Sequence, residues 1–326
     1  KIAATASVIG AIIGELPVGS KNGIGVQIVI GAQYNTFNPG FLWATIITAA
    51  TPLLIAAIGE LVVERSGVLN LGVEGMMVMG AVAGFAVAFM TGSTLLGVGA
   101  AIFAGIAMSA LFGFLTMTLV SNQVAAGLAL TLLGLGLSGL IGEAFVGQPG
   151  VKMPTLFGID ALVPFSLLLT AGVAYVLFRT KTGLVIRAVG NSHSSAHALG
   201  YRVIAIRYLS VMFGGACAGL AGGYLSLAYT PQWIENMTAG RGWIALALVV
   251  FASWRPLRTL VGAYLFGAVS ILGFVVQSMG LGIPSQFLSS LPYIVTIIAL
   301  VIISGNKRLT QANTPACLAQ SFVPDR

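Results

Sequence analysis

Charge is what this chain has least of. Asp, Glu, Lys and Arg make up 7% of its 326 residues, against about a quarter in a soluble domain, which excludes a water-soluble globule of this length. Cysteine occurs twice, as Cys217 in an apolar run and Cys317 in a polar tail, with no CxxC spacing, so neither a disulfide framework nor a cysteine zinc site is indicated. The two histidines, His193 and His197, are four apart and share one helical face, but no third ligand lies nearby in sequence, and a metal site needs one. There is no GxxxxGK[ST] and no HExxH, and no Ser, His and Asp trio has the spacing of a triad. The chain therefore has no P-loop for ATP and no familiar hydrolytic centre of its own. The apolar stretch after Lys1 lacks a small-residue cleavage pattern, so no removable signal peptide is expected.

Apolar residues fill the space that charge leaves: 57% of the chain is hydrophobic and 43 residues are glycine. A helix needs about 20 apolar residues to cross the hydrocarbon core, and nine segments approach that length: 41–59, 68–90, 95–120, 124–146, 161–178, 203–229, 241–254, 257–279 and 287–304. The expected fold is all-α, a polytopic transmembrane helix bundle of about nine spans, with the seventh short enough to be tilted or re-entrant. If the loop 179–202 faces the cytoplasm, alternation puts ten basic residues inside, among them Arg65, Arg179, Arg255, Arg258, Lys307 and Arg308. Only Lys152 and Arg241 fall outside after residue 40. That asymmetry predicts a cytoplasmic C-terminus. The net charge of +7 is thus a topology signal and does not indicate a nucleic-acid partner. The outward loops are 147–160, where Gln148, Pro149 and Pro154 argue against helix, and 230–240, where Trp233 is expected at the membrane interface. Gly80 and Gly84, and Gly215, Gly219 and Gly223, have the small-xxx-small spacing of close helix packing. Gly134, Gly136 and Gly139 fit GxGxxG but lie mid-span with no preceding strand, so no dinucleotide site is read there.

Two polar clusters stand out. GELVVERSGVLNLGVEGMM, residues 59–77, holds four of the chain's 23 formal charges. Glu60, Glu64 and Arg65 are expected at the membrane edge. Glu74 lies several residues into the second span, where a carboxylate costs about 2.5–3.5 kcal/mol on insertion scales unless it is paired or faces water. Asn70, four residues earlier, would share its helical face. The pair either ties helices together or lines a polar path. The second cluster, 179–207, has five basic residues, no acid, and a short helix predicted near 193–199 between the candidate caps Asn191 and Ser192 and the stop Gly200. It serves as a topology anchor or as a docking element. The tail 305–326 is polar and proline-containing and is expected to be disordered. An intramembrane enzyme would need Glu74 or Glu143 as acid or base, and a carrier driven by ions would need more intramembrane ionisable groups than these spans provide.

Three stretches together carry a family resemblance: GELVVERSGVLNLGVEGMMVMGA (59–81), RAVGNSHSSAHALGYRV (187–203) followed by FGGACAGLAGGYLSL (213–227), and GRGWIALALVVFASWRPLRTLVGAYLFG (240–267). They resemble the inner-membrane permeases of binding-protein-dependent ABC importers for branched-chain amino acids, ribose and nucleosides, most of all the nucleoside and simple-sugar branch. The resemblance covers 41–304. It implies a multi-pass subunit of a bacterial-type plasma membrane that pairs with a second permease, identical or paralogous. A cytoplasmic ABC ATPase would bind the ATP and magnesium, and an extracytoplasmic binding protein or lipoprotein would deliver substrate. It further implies that the 187–203 segment is the coupling element, with Arg187, Asn191, Ala196, Gly200 and Arg202 as ATPase contacts. Asn70 and Glu74 would stand near the translocation path, and Glu60, Glu64 and Arg65 in the signature turn. Residues 1–40 lie outside the resemblance and are similar instead to part of a permease of the other large importer class; 305–326 forms a cytoplasmic tail.

Overall fold

The computed structural model describes residues 39–151, 153, 155–156, 159–278, 284–304 and 313–323. The segment resembling another permease class, the positions Lys152 and Pro154, and Lys307 and Arg308 of the inside charge set lie outside these. In chain order the helices are α1 (Pro39–Arg65), α2 (Val73–Thr91), α3 (Thr94–Gly113, prolonged by a π-helical turn to Thr118), α4 (Gln123–Gly142), α5 (Leu162–Arg179), α6 (Lys181–Asn191), α7 (His193–Ala198), α8 (Val203–Tyr224, prolonged by a π-helical turn to Tyr229), α9 (Arg241–Phe251), α10 (Pro256–Ser278) and α11 (Ser285–Ser304). A two-residue hairpin, Thr155–Leu156 with Ile159–Asp160, precedes α5. Two compact units result: Thr51–Ala263 with Thr296–Arg326, and a smaller one of Tyr264–Val295 with the chain up to Ala50. In the smaller unit Gly267 faces Ile46 and Ala50, and Gly273 faces Leu288.

Glycine decides the packing of the larger unit. A Cβ at Gly80 would lie 2.3 Å from the carbonyl oxygen of Gly219, one at Gly105 2.0 Å from that of Gly215, and one at Gly222 1.8 Å from that of Met77. Backbone thus meets backbone between α2, α3 and α8, as the small-residue spacing predicted; lipid offers no hydrophobic drive between helices, so dispersion contact at this range supplies the attraction. Outward faces are apolar, with Phe103, Leu132 and Leu168 each at least 71% exposed, as expected of surfaces bathed in acyl chains.

Among the described residues seven helices are long and apolar enough to span, not nine. α11 contributes only a shorter apolar stretch, Gln286–Ile298, and is not among the seven. α9 has 11 residues and rises about 16 Å, half of a core about 30 Å thick. Residues 230–240 before it are non-helical. That segment, expected to be an outward loop, runs along α2: Trp233 is 1% exposed and packs on Val78, Ala81, Val82 and Phe85. It is therefore a core residue and not an interface marker. Within this segment Trp233 and Thr238 are buried, while Glu235, Asn236 and Ala239 are exposed.

The polar tail is also ordered where it is described. Backbone carbonyls of Asn313 and Gln320 accept from Arg65 Nη1 (3.1 Å) and Arg207 Nη1 (2.9 Å), and Cys317 N–H donates to Gly190 O (2.9 Å). Composition suggested disorder because it counts apolar content within the segment. What orders the tail is the pair of cations elsewhere in the chain that need acceptors.

Candidate functional site

The 59–77 cluster resolves into a clip with two ends. α1 continues as helix through Arg65, so Glu60, Glu64 and Arg65 sit on its last two turns and are buried, at 1%, 1% and 7% exposure. Residues 66–72 then fold back along α1 before α2 begins. Asn70 lies in this non-helical return and does not share a helical face with Glu74. Its backbone N–H and its Nδ2 donate to the two carboxylate oxygens of Glu60, both at 3.3 Å, and its Oδ1 accepts from Gly72 N at 3.0 Å. α4 holds the other side of the return, where Gln123 Oε1 accepts from Leu69 N and Thr131 Oγ1 donates to Leu71 O. Buried backbone away from regular structure needs such partners.

Glu74 is on the first turn of α2, 3% exposed, and aims at the start of α9. Its Oε1 accepts from Thr238 Oγ1 (2.5 Å) and Gly240 N (2.8 Å), and its Oε2 from Gly242 N (2.6 Å). The backbone before α9 turns through left-handed conformations at Asn236, Ala239 and Gly240, with φ of 57°, 46° and 82°. That turn brings the N–H groups onto one anion, as in other anion-binding nests. One carboxylate therefore compensates the dipoles of two helix N-termini, its own and that of α9. Gly242 allows the approach, since a Cβ there would stand 2.6 Å from Glu74 Cα. The far end of α9 returns to the tip of α1. Trp254 Nε1 donates to Glu64 Oε2 at 2.5 Å, and Arg65 donates to Trp254 O through Nε (3.2 Å) and Nη2 (2.8 Å). α9 is thus fixed at both ends to the 59–77 segment, its two ends about 15 Å apart along the helix.

The second cluster forms the predicted short helix. Ser192 caps α7, its Oγ accepting from Ser195 N at 3.3 Å, and Gly200 ends it at φ +86°. Of the residues implied as ATPase contacts, Asn191, Gly200 and Arg202 are exposed. Arg187 is half-buried with its guanidinium 5.2 Å from the Phe178 ring centre. Ala196 is 2% exposed and turned inward against Val189 and Val203. The outward surface of α7 belongs instead to Ser194, Ser195 and Ala198, followed by Leu199 at 77% exposure. Sequence spacing missed these because a one-turn helix shows no periodicity from which to read its buried side. Both histidines face the tail, their ring centres 5.1 Å (His193) and 5.3 Å (His197) from that of Phe322. Glu143, the other acid considered for chemistry, is exposed at the end of α4.

Similarity to known proteins now bears on this arrangement. The family described as branched-chain amino acid transport system / permease component matches residues 42–304. The chain belongs to this permease family. A putative glucose ABC transporter permease of Haloferax volcanii is 41% identical over 324 residues, covering 88% of this permease and 98% of the relative. A guanosine ABC transporter permease of Bacillus subtilis is 31% identical over 83% of the permease and 93% of the relative. A nucleoside ABC transporter permease of Lactococcus lactis is 31% identical over 80% and 92%. No solved structure matches.

The His193 contact gives the permease a pH dependence of known sign. Arg207 Nη2 lies 3.5 Å from His193 Nδ1, so the neutral ring accepts there. Burial, and then the Arg207 charge, hold the His193 pKa below the ordinary value. The folded state thus binds fewer protons than the unfolded one as pH falls through about 6.5. Stability of the tail contact is full above that range and declines on acidification. Protection factors at 315–322, the exchange rates corrected for the intrinsic rate at each pH, should fall between about pH 7 and pH 5.5, and His193→Gln should remove most of that fall. Equal protection factors at both pH values would contradict the assignment.

Proposed function

We propose that this permease is the membrane-spanning subunit of an ATP-driven importer that carries nucleosides or simple sugars. What carries the reading is family membership over 42–304 together with sugar and nucleoside permeases as relatives along nearly their whole length. ATP hydrolysis belongs to a separate cytoplasmic ATPase that docks on α7 and its flanks, with the exposed Asn191, Gly200 and Arg202 and the neighbouring Leu199 in contact. A second permease subunit completes the path, and an extracytoplasmic binding protein delivers the substrate. The C-terminus is cytoplasmic, in keeping with the basic residues around α6 and α7. The path runs beside the broken crossing formed by residues 230–240 and α9, because discontinuous helices near the midplane are where transporters place irregular backbone next to substrate. In that arrangement Asn70 and Glu74 brace the path from behind: Glu74 holds the half-helix and Asn70 holds the return. Movement of α7 reaches the path through α6 and α8, which flank it, and through the Arg65–Trp254 end of the clip. Alternating access follows as a shift between two packings of the bundle.

The test is reconstitution of the permease with its ATPase and binding protein in vesicles, measuring uptake of labelled guanosine, uridine, glucose and leucine. Uptake of a nucleoside or glucose that needs ATP and the ATPase is expected. Uptake that continues without the ATPase would overturn the importer reading, and uptake of leucine alone would overturn the substrate class.

A further inference from the structure

The tail segment 313–323 does more than end the chain. Four of its groups are fixed to the 187–207 region or to the tip of α1: Asn313 O to Arg65, Cys317 N to Gly190 O, Gln320 O to Arg207, and the Phe322 ring between the two histidines of α7. Cys317 Sγ adds a contact to Asn191 O at 3.4 Å. Phe322 joins Val189, Ala196 and Val203 in one small apolar cluster, so the inward side of α7 is packed against the tail as well as against α6 and α8. A one-turn helix has too few internal hydrogen bonds to persist alone; its orientation comes from what it leans on. Between the two elements runs an open cavity of about 500 Å³, lined by His193, Ser194 and His197 on one side and Ser321, Phe322 and Val323 on the other. Leu199 (77%) and Val323 (63%) stand exposed, and the exposed charges of the surrounding loop are the cations Arg179, Lys181 and Arg202, with no acid among residues 179–207.

We propose that the 313–323 segment is the second half of the ATPase-docking surface: it sets the angle of α7 through Phe322, and its Ser321–Val323 edge forms with α7 a cleft that accepts an acidic-rimmed part of the ATPase. This rests on the proposal that the ATPase docks at α7. The loop's cations, with no acid among residues 179–207, fit an acidic partner, and the cleft continues from the exposed tip of α7 onto the tail. Phe322 is a positioning residue.

Truncating the tail is a poor test, because Arg65 and Arg207 would lose acceptors inside the protein. Three variants of the full permease in nanodiscs, titrated with its ATPase, decide the matter. Phe322→Ala is expected to weaken ATPase binding about tenfold, with Phe322→Leu restoring most of it. Val323→Cys in a Cys317→Ser background, which keeps the donor to Asn191, is expected to bind normally until a bulky maleimide is attached, and then to lose binding. Leu199→Asp should lose binding whether or not the tail takes part. Loss with Leu199→Asp, but wild-type affinity for both Phe322→Ala and the labelled Val323→Cys, would overturn the tail proposal and leave docking at α7 standing. Wild-type affinity in all three would overturn both. Tighter binding of Phe322→Ala would mean that the tail obstructs the ATPase, which also overturns the proposal.

Discussion

Replacing Glu74 by alanine is expected to abolish transport and to lower the melting temperature of the purified permease by at least about 5 °C. The carboxylate accepts from Thr238 Oγ1, Gly240 N and Gly242 N at the start of α9. A buried donor left without an acceptor costs about 1–3 kcal/mol, so three such donors put the loss at roughly 3 kcal/mol even at the low end. The hydroxyl of Thr238 can rotate to another acceptor; the two backbone N–H groups are fixed by the turn. Transport should suffer more than stability, since α9 would stay attached at Trp254 while its other end swings free beside the proposed path. Glu74→Gln keeps one acceptor oxygen but turns an amide NH2 toward a donor, and should fall between wild type and Glu74→Ala in both readouts. Wild-type melting and uptake for Glu74→Ala would show that α9 is held by other contacts and that the clip is dispensable.

Gly222→Val is expected to do still more damage, leaving little permease in the membrane. A Cβ at this position would lie 1.8 Å from Met77 O and 2.7 Å from Met77 C. Both are backbone atoms of α2, so no rotamer change relieves the clash and α8 must move away from α2. Overpacking in a tight core costs about 1–3 kcal/mol when side chains can yield, and more when they cannot. Separating the helices also forfeits the dispersion contact that substitutes for a hydrophobic drive in lipid. The matched control is Gly136→Ala, where a Cβ meets nothing within 4 Å and yield and melting should be unchanged. Normal yield of Gly222→Val beside Gly136→Ala would mean that α2 and α8 are not in backbone contact. The same comparison separates glycines that allow close approach from glycines that merely occur in an apolar helix.

The sequence by itself determined the class of molecule and most of its helices. So little charge among so many apolar residues leaves only a membrane bundle, and the caps around α7, Ser192 before it and Gly200 after it, are local signals that the backbone obeys. The small-residue spacing of α2 and α8 was legible for the same reason: three or four residues of helix fix which side chains share a face. The partners of the polar groups were not legible. Asn70 and Glu74 look like neighbours one helical turn apart, yet a non-helical return separates them, and their acceptor and donors come from Glu60 and from residues 238–242. Nor could composition show that the non-helical backbone before the 11-residue α9 packs on α2 through Trp233, or that a polar tail would be held by Arg65 and Arg207. Local pattern records which residues lie along one helix. A buried charge is satisfied by whichever distant backbone the packed bundle brings within about 3 Å, and that distance exists only once the chain has folded.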